Sequence, residues 1–549
     1  MAAPQEDDAK LQLFLQWLQA NGCQLRCCTI KNCGPDKGFG VFSSSSDGVA
    51  MVVPLDLAIT PMRVLQDPFV GERCRALFEE GDVDDRFLIM LFLTVERLRR
   101  GSLWKPYLDM LPESFGNPLW FTEDELAELN GTTLYRASVL QWKNLQALYN
   151  DKVKVLVAEL LPGDKSIREV KYEDFLWANS IFWSRALSIP FPRSYVFPEH
   201  LEQQEINPVC HNGVFGSPMI DTSSETTDDR LNVRHKETKD AVDMESSDEN
   251  LNSKSAETVW VEGLVPGIDF CNHGLEPMAT WEVDQTGSTT GAPFSMYLML
   301  AFPENLEVHK EINISYGNKG NEELLYLYGF VIDNNPSDFL MVHYPTEAFQ
   351  NSSSSEAKEK LLMLQKAELR CLLPKSLLHN GFFGDCNEKD NSRLHNSFSW
   401  SGQRKVPSYL HKLIFPQEFI AALRTVSMKD NELTQATSLL EDLVESRKDR
   451  QASEAEVQAA VWESCGDYAA LELLVDLLRI KMLELEEGSG TEQNDAKILE
   501  DFCNLELEWK LRNKLDDKKS MTRNRRSCVV YRRGRSNLHA CSCKKLNMP

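Results

Sequence analysis

Residues 261–273 read VEGLVPGIDFCNH and residues 311–330 read EINISYGNKGNEELLYLYGF, with the apolar run MYLMLAF at 296–302 between them. The apolar run has the length and composition of a buried strand. The first segment sets a carboxylate, an amide and an imidazole within five positions, at Asp269, Asn272 and His273. An asparagine amide both donates and accepts, so it suits an amino-acid zwitterion or the edge of an adenine. A lone histidine is more often structural. The second segment supplies aromatic rings at Tyr316, Tyr328 and Phe330, with Asn321 between them. Tyr316 ends a strand, where a tyrosine on its own is as readily a core or edge residue. A metal reading fails here: Cys271 and His273 lie two apart and share a strand face, but no second ligand pair accompanies them.

Two upstream segments carry related chemistry. KGFGVFS at 37–43 places Gly38 and Gly40 around Phe39. Paired glycines let backbone approach a ligand closely and adopt dihedrals that a side chain forbids, although alone the pattern reads as a hairpin turn. In WANSIFWSRALSIP at 177–190, Arg185 ends an aromatic-rich helix. A guanidinium fork can grip a carboxylate through two bonds, as lysine cannot. The plainer alternative is an arginine lying over aromatic faces at the surface. Cys23, Cys27, Cys28 and Cys33 lack a clean paired spacing, and Cys528, Cys541 and Cys543 stand at the far end, so no structural metal is expected.

Around these motifs, 549 residues with 42% hydrophobic content predict two or three domains with real cores. No run reaches the apolar length of a membrane span. The start, MAAPQEDDAK, lacks the basic and apolar regions of a signal peptide and is too acidic for a transit peptide. The fourteen cysteines form no small-domain framework, which fits reduced thiols. A soluble, cytoplasmic and/or nuclear protein is therefore expected, with no membrane partner. A net charge of −24 disfavours nucleic acid over most of the surface. The exception is the basic end, residues 515–549, which reads as a disordered tail that could serve as an import signal or nucleic-acid patch.

Helical periodicity marks residues 10–20, 82–100 and 136–188, and Thr122 with Glu125 forms a capping box. Residues 202–258 are acidic and rich in Ser and Thr, a composition that cannot repay ordering entropy, and read as a disordered insertion. Residues 358–373, 416–428, 433–446, 453–465 and 468–486 each recur at helical spacing.

The segments DFCNH, ISYG and NEELLYLYGF resemble the SET-domain protein methyltransferases of the Rubisco large-subunit methyltransferase class. The resemblance implies an α+β chain. A mostly β SET domain would span 1–340, with a helical insertion at about 85–200 and the acidic insertion at about 202–258, and an all-α substrate-binding domain would follow at 345–514. It also implies that the last segment threads beneath DFCNH. The implied cofactor is S-adenosyl-L-methionine, with Gly38, Phe39 and Gly40 along its methionine part and Arg185 at its carboxylate. Asn272 would hold the methionyl end, His273 would lie near the adenine, and Asp269 would line the same site. Tyr316 is the catalytic candidate, in the collar of a methyl-transfer channel, and together with Tyr328 and Phe330 it also completes the cofactor-binding set. Phe39 stands where histone-type enzymes commonly have arginine.

Such a cofactor carries a methyl already activated on sulfur. The protein must align the acceptor, and let a lysine whose ordinary pKa is about 10.4 lose its proton. A narrow aromatic channel beside a sulfonium favours that loss. Tyr316 would offer its hydroxyl oxygen to the methyl hydrogens without being an obligatory base. Leu187, two residues after Arg185, gives an imidazole no polar neighbour to fix its tautomer, so lysine is the expected acceptor. The alternatives are a histidine N-methyltransferase of the same class and a non-catalytic SET-like scaffold. The implied partner is a folded protein substrate docked on the helical domain of a monomer.

Overall fold

A computed structural model describes the chain apart from residues 1–3, 35–36, 46–47, 82, 162–167, 197–257, 302–306, 346–353, 368, 376–416, 447–451, 513–521 and 546–549. The acidic insertion expected at about 202–258 lies, up to residue 257, outside the described residues.

The N-terminal half is built from small antiparallel sheets. Val49–Pro54 pairs with Gln24–Leu25 on one side and with Ser295–Leu300 on the other, and Ala279–Asp284 completes four strands. The two central strands are buried almost throughout, as their unbroken apolar composition requires. In a second sheet, Phe39–Ser43 lies between Cys28–Asn32 and Glu311–Ile312. Leu187–Pro192 pairs with Thr258–Gly263.

The helices Asp85–Leu98 and Tyr172–Arg185 pack on each other within the stretch expected as a helical insertion. Every residue from 87 to 96 is buried, and a helix that is apolar nearly all round belongs inside a core. The Asp84 carboxylate accepts from the Phe87 N–H at 2.9 Å, satisfying an open donor of the first turn. Tyr172–Arg185 sends Phe175, Trp177 and Phe182 into the same core and ends on Arg185. The capping box of Thr122 and Glu125 forms with both reciprocal bonds, at 3.3 and 3.2 Å.

The C-terminal region is helical, with Gln417–Ser427, Asp430–Ser446, Glu454–Ser464, Tyr468–Ser489 and Glu492–Arg512. One stretch departs from its periodicity. Residues 358–373 read as a single helix, but Ser355–Leu364 stops, Lys366 takes φ 48°, and Arg370–Pro374 pairs as a strand with Phe339–His343. Tertiary packing explains the switch: Leu340, Val342, Cys371 and Leu373 bury against Phe419, Ile420, Leu474 and Leu478. No helix among the described residues is long and apolar enough to cross a membrane.

The basic end differs most from expectation. Instead of a disordered tail, Arg523–Lys545 is a helix that buries Cys528, Val529, Val530, Tyr531 and Leu538. Composition alone argued for a solvated tail because it ignored the acidic groups that the fold brings to it. Arg525 and Arg532 pair with Glu128, Arg532 also with Asp495, Arg526 with Asp333, Arg533 with Glu492 and Arg535 with Glu322.

His539 in this helix is buried, and its Nδ1 has no hydrogen-bond partner. Burial, with Arg535 and Lys481 nearby, pushes its pKa down from 6.5 to about 3. The unfolded imidazole binds protons more readily than the folded one. The stability present above pH 6.5 is therefore lost progressively as pH falls from 6.5 toward 3. Thermal unfolding between about pH 7.5 and about pH 5 should show Tm falling on the acid side, and His539→Leu should flatten that fall.

Candidate active site

The short helical turn Ile268–Phe270 follows Gly267, whose φ of 101° suits glycine. This turn points the Asp269 carboxylate inward. The carboxylate accepts from the Tyr107 hydroxyl at 2.6 Å and from the Gly267 N–H at 3.0 Å, and Arg185 Nη1 stands 3.7 Å away. The same Nη1 donates to the Asp269 backbone oxygen at 2.9 Å. Asp269 was expected to line the site. Its side chain is instead fully buried, while 15% of the Arg185 side chain is exposed, so Asp269 sits behind Arg185 and orients it. Burial raises the pKa of Asp269, with Arg185 and the Tyr107 hydroxyl drawing it back down.

Phe270 joins two of the expected pieces. The Arg185 guanidinium lies 5.0 Å from the centre of its ring, and Phe39 meets the ring edge-on at 6.4 Å. Gly38, beside Phe39, has φ 70° and open space where a Cβ would be.

Asn272 Nδ2 donates to Glu311 Oε1 at 2.7 Å and lies 3.9 Å from Cys33 Sγ. A Cβ on Gly40 would come within 2.6 Å of that sulfur and 3.1 Å of both Asn272 Nδ2 and Glu311 Oε1, so a larger residue there would push these side chains aside. Lys37 Nζ lies 3.3 Å from the second oxygen of Glu311.

The two motif halves run side by side at the next step. His273 and Ile314 form a parallel bridge, with the Ile314 N–H on the Asn272 oxygen and the Gly274 N–H on the Ile314 oxygen, both at 3.0 Å. The Tyr316 N–H donates to His273 Nδ1 at 3.1 Å, and burial lowers the pKa of that imidazole. His273 is therefore neutral, with its own proton on Nε2. The Tyr316 hydroxyl donates to the Cys271 oxygen at 2.8 Å, and its ring stacks on Tyr328 at 4.7 Å. Phe330 closes the cluster, 6.2 Å from both His273 and Tyr328. Burial raises the pKa of Tyr316 and pushes Tyr328 up to about 12. Both phenols keep their protons at neutral pH.

Eight expected residues thus meet around one turn: Phe39, Gly40, Arg185, Asn272, His273, Tyr316, Tyr328 and Phe330. Gly38 stands at the edge. Asn321 does other work, exchanging two bonds with Ile332 at 2.8 and 2.9 Å and shaping the chain beyond the aromatic segment. Leu187 begins the strand paired through Gly263. Sequence reading missed Glu311, Cys33, Tyr107 and Phe270. Glu311 had a signal: buried Ile312 and Ile314 alternate with it, which turns Glu311 away from the core and toward Asn272.

The described architecture is α+β, with small antiparallel sheets followed by a helical region. The chain has the fold seen in solved structures of the Rubisco large-subunit methyltransferase (LSMT). The crystal structure of the SET domain of LSMT bound to lysine and AdoHcy matches with a TM-score of 0.60 at 17% identity, covering 97% of this chain and 90% of that one. In sequence, the chain is 29% identical over 182 residues to the chloroplastic Rubisco large subunit N-methyltransferase of Pisum sativum, covering 32% of this chain and 35% of the relative. It is 29% identical over 191 residues to the chloroplastic fructose-bisphosphate aldolase-lysine N-methyltransferase of Arabidopsis thaliana, covering 34% and 38%. To the actin-histidine N-methyltransferase of Canis lupus familiaris it is 26% identical over 184 residues, covering 32% and 30%. The chain thus spans about a third of the length of the curated relatives it matches. No family model matches.

Proposed function

We propose that the protein transfers a methyl group from S-adenosylmethionine to a side-chain nitrogen of a protein substrate, with lysine as the acceptor. The observation that carries this reading is the placement of Tyr316. Its backbone is tied to His273, its hydroxyl to Cys271 and its ring to Tyr328, one turn from the Asn272–Glu311 pair.

The donor set fits the zwitterionic end of that cofactor. Arg185, held from behind by Asp269, would face a carboxylate. Glu311 would face an ammonium, and with Nδ2 tied to Glu311, Asn272 would add its Oδ1 as an acceptor. Gly40 keeps that wall thin. When bound, S-adenosylmethionine supplies an already activated methyl. The chain's own residues orient and desolvate. Tyr316, protonated and committed to the Cys271 oxygen, is no general base. The acceptor amine must lose its proton to solvent, and the aromatic walls favour the neutral form.

Apolar Leu187 near Arg185 supports lysine. The actin-histidine relatives keep histidine as the second reading. A folded protein docked on the helical region of a monomer is the proposed substrate complex.

Equilibrium dialysis with labelled S-adenosylmethionine should show one bound molecule per chain; no binding would overturn the proposal. Tyr316→Phe preserves the stack on Tyr328 and removes the hydroxyl. It should leave the cofactor Kd within about two-fold of wild type and slow methyl transfer by about ten- to a hundred-fold. Loss of cofactor binding in that variant would instead assign Tyr316 to the cofactor pocket.

A further inference from the structure

We infer that the C-terminal helix Arg523–Lys545 is a positioning element that holds the aromatic segment of the acceptor channel through Glu322, an inference that rests on the methyltransferase reading for its catalytic consequence.

The helix reaches three separate parts of the chain. Toward the N-terminal half, Thr522 Oγ1 and Asn524 Nδ2 donate to Glu125 at 2.7 and 3.1 Å, and Arg525 Nε donates to Glu128 at 2.8 Å. Toward the helical region, Arg532 pairs with Asp495, and both side chains are almost wholly buried. Toward the segment carrying the channel aromatics, Tyr531 and Arg535 converge on Glu322. The Glu322 carboxylate accepts from the Tyr531 hydroxyl at 2.7 Å and from Thr133 Oγ1 at 2.8 Å, and Arg535 Nη1 lies 3.1 Å away.

Glu322 stands six residues before Tyr328. Between them, Leu325 buries in one cluster with Cys528 and Tyr531, so a polar and an apolar contact fix the same turn. Beyond Tyr328, Gly329 takes φ 77° with its backbone against Gly116: a Cβ on Gly329 would come within 2.6 Å of the Gly116 carbonyl carbon. Asn524 also borders that crossing, with its Oδ1 3.6 Å from where a Gly116 Cβ would be. Both ends of the segment that presents Tyr328 to Tyr316 are therefore held by, or lie beside, the C-terminal helix. An ordered wall matters here because methyl transfer depends on alignment, and a small displacement of a channel ring slows it.

The test uses the full chain carrying Glu322→Gln or, should that variant fail to fold, the milder Tyr531→Phe. Hydrogen exchange is followed in peptides covering 324–330 and, as the internal reference, 269–274. The expected result is exchange about ten-fold faster at 324–330 and unchanged at 269–274. With it should come a fall in kcat of about ten-fold and a cofactor Kd within about two-fold of wild type. Arg535→Lys, which keeps the charge, should fall between wild type and Glu322→Gln in both readouts. Unchanged exchange at 324–330, equal acceleration of both peptides, or faster exchange with an unaltered kcat would each overturn the inference. Wild-type protein that binds no cofactor and transfers no methyl, with the exchange result intact, would instead overturn the methyltransferase reading and uphold the clamp on 324–330.

Discussion

Arg185→Met is expected to cost about 3 kcal/mol of stability at neutral pH. The guanidinium is the only cation paired with the Asp269 carboxylate among the described residues, and that carboxylate is fully buried. Without it, the Asp269 carboxylate keeps neutral donors alone, among them the Tyr107 hydroxyl and the Gly267 N–H. The pKa of Asp269 already lies above its ordinary 3.8 because of burial. A carboxyl raised in the folded state favours folding most below its unfolded pKa, and that contribution is lost as pH rises through the folded value. Removing Arg185 takes away a group that lowers the folded pKa, so the loss extends further up the pH scale. The difference between variant and wild type should be small near about pH 4 and full by about pH 7, as read by denaturant unfolding. Adding Asp269→Asn to Arg185→Met should recover most of it. A difference that does not vary with pH would mean that Arg185 stabilises by packing on Phe270 instead.

The second large effect is on cofactor affinity. Asn272→Ala removes the 2.7 Å partner of Glu311 and the proposed acceptor for the ammonium of S-adenosylmethionine. A hydrogen bond to a charged group contributes about 1.5–3 kcal/mol, so Kd should rise by about ten- to a hundred-fold. Asn272 is only half-buried, and Tm should move little. Glu311→Gln, which keeps an acceptor beside Asn272 but drops the charge, should weaken binding less. Wild-type affinity in Asn272→Ala would make the Asn272–Glu311 pair structural and move the binding site elsewhere.

What the sequence made legible was local. DFCNH and EINISYG announced themselves because several functional groups fall within a few residues of each other, and the structure brings the two together through the His273–Ile314 bridge. The helices Asp85–Leu98 and Tyr172–Arg185 followed from periodicity. Contacts set by tertiary placement were not legible. Tyr107 reaches Asp269 across 162 positions, and nothing near Tyr107 in sequence marks it. The strand Arg370–Pro374 lost its helical reading to packing against Phe419 and Leu474. The basic end failed for the same reason: a composition that reads as solvated becomes a buried helix once Glu128, Asp495 and Glu322 are brought to it. Conversely, the role given to Asp269 came from its place in the motif, and only the structure shows Arg185 between that carboxylate and the open face of the site.

The most direct test of the central claim is methyl transfer from labelled S-adenosylmethionine into a whole-protein extract, with wild type, Tyr316→Phe and Asn272→Ala run in parallel. A discrete labelled protein is expected with wild type, weakened by Tyr316→Phe and lost with Asn272→Ala at limiting cofactor, and mass spectrometry should place the methyl on a lysine side chain. Label on histidine would transfer the assignment to the second acceptor. Absence of any labelled protein, together with no binding of S-adenosylmethionine by the wild type, would contradict the account and leave a SET-fold scaffold.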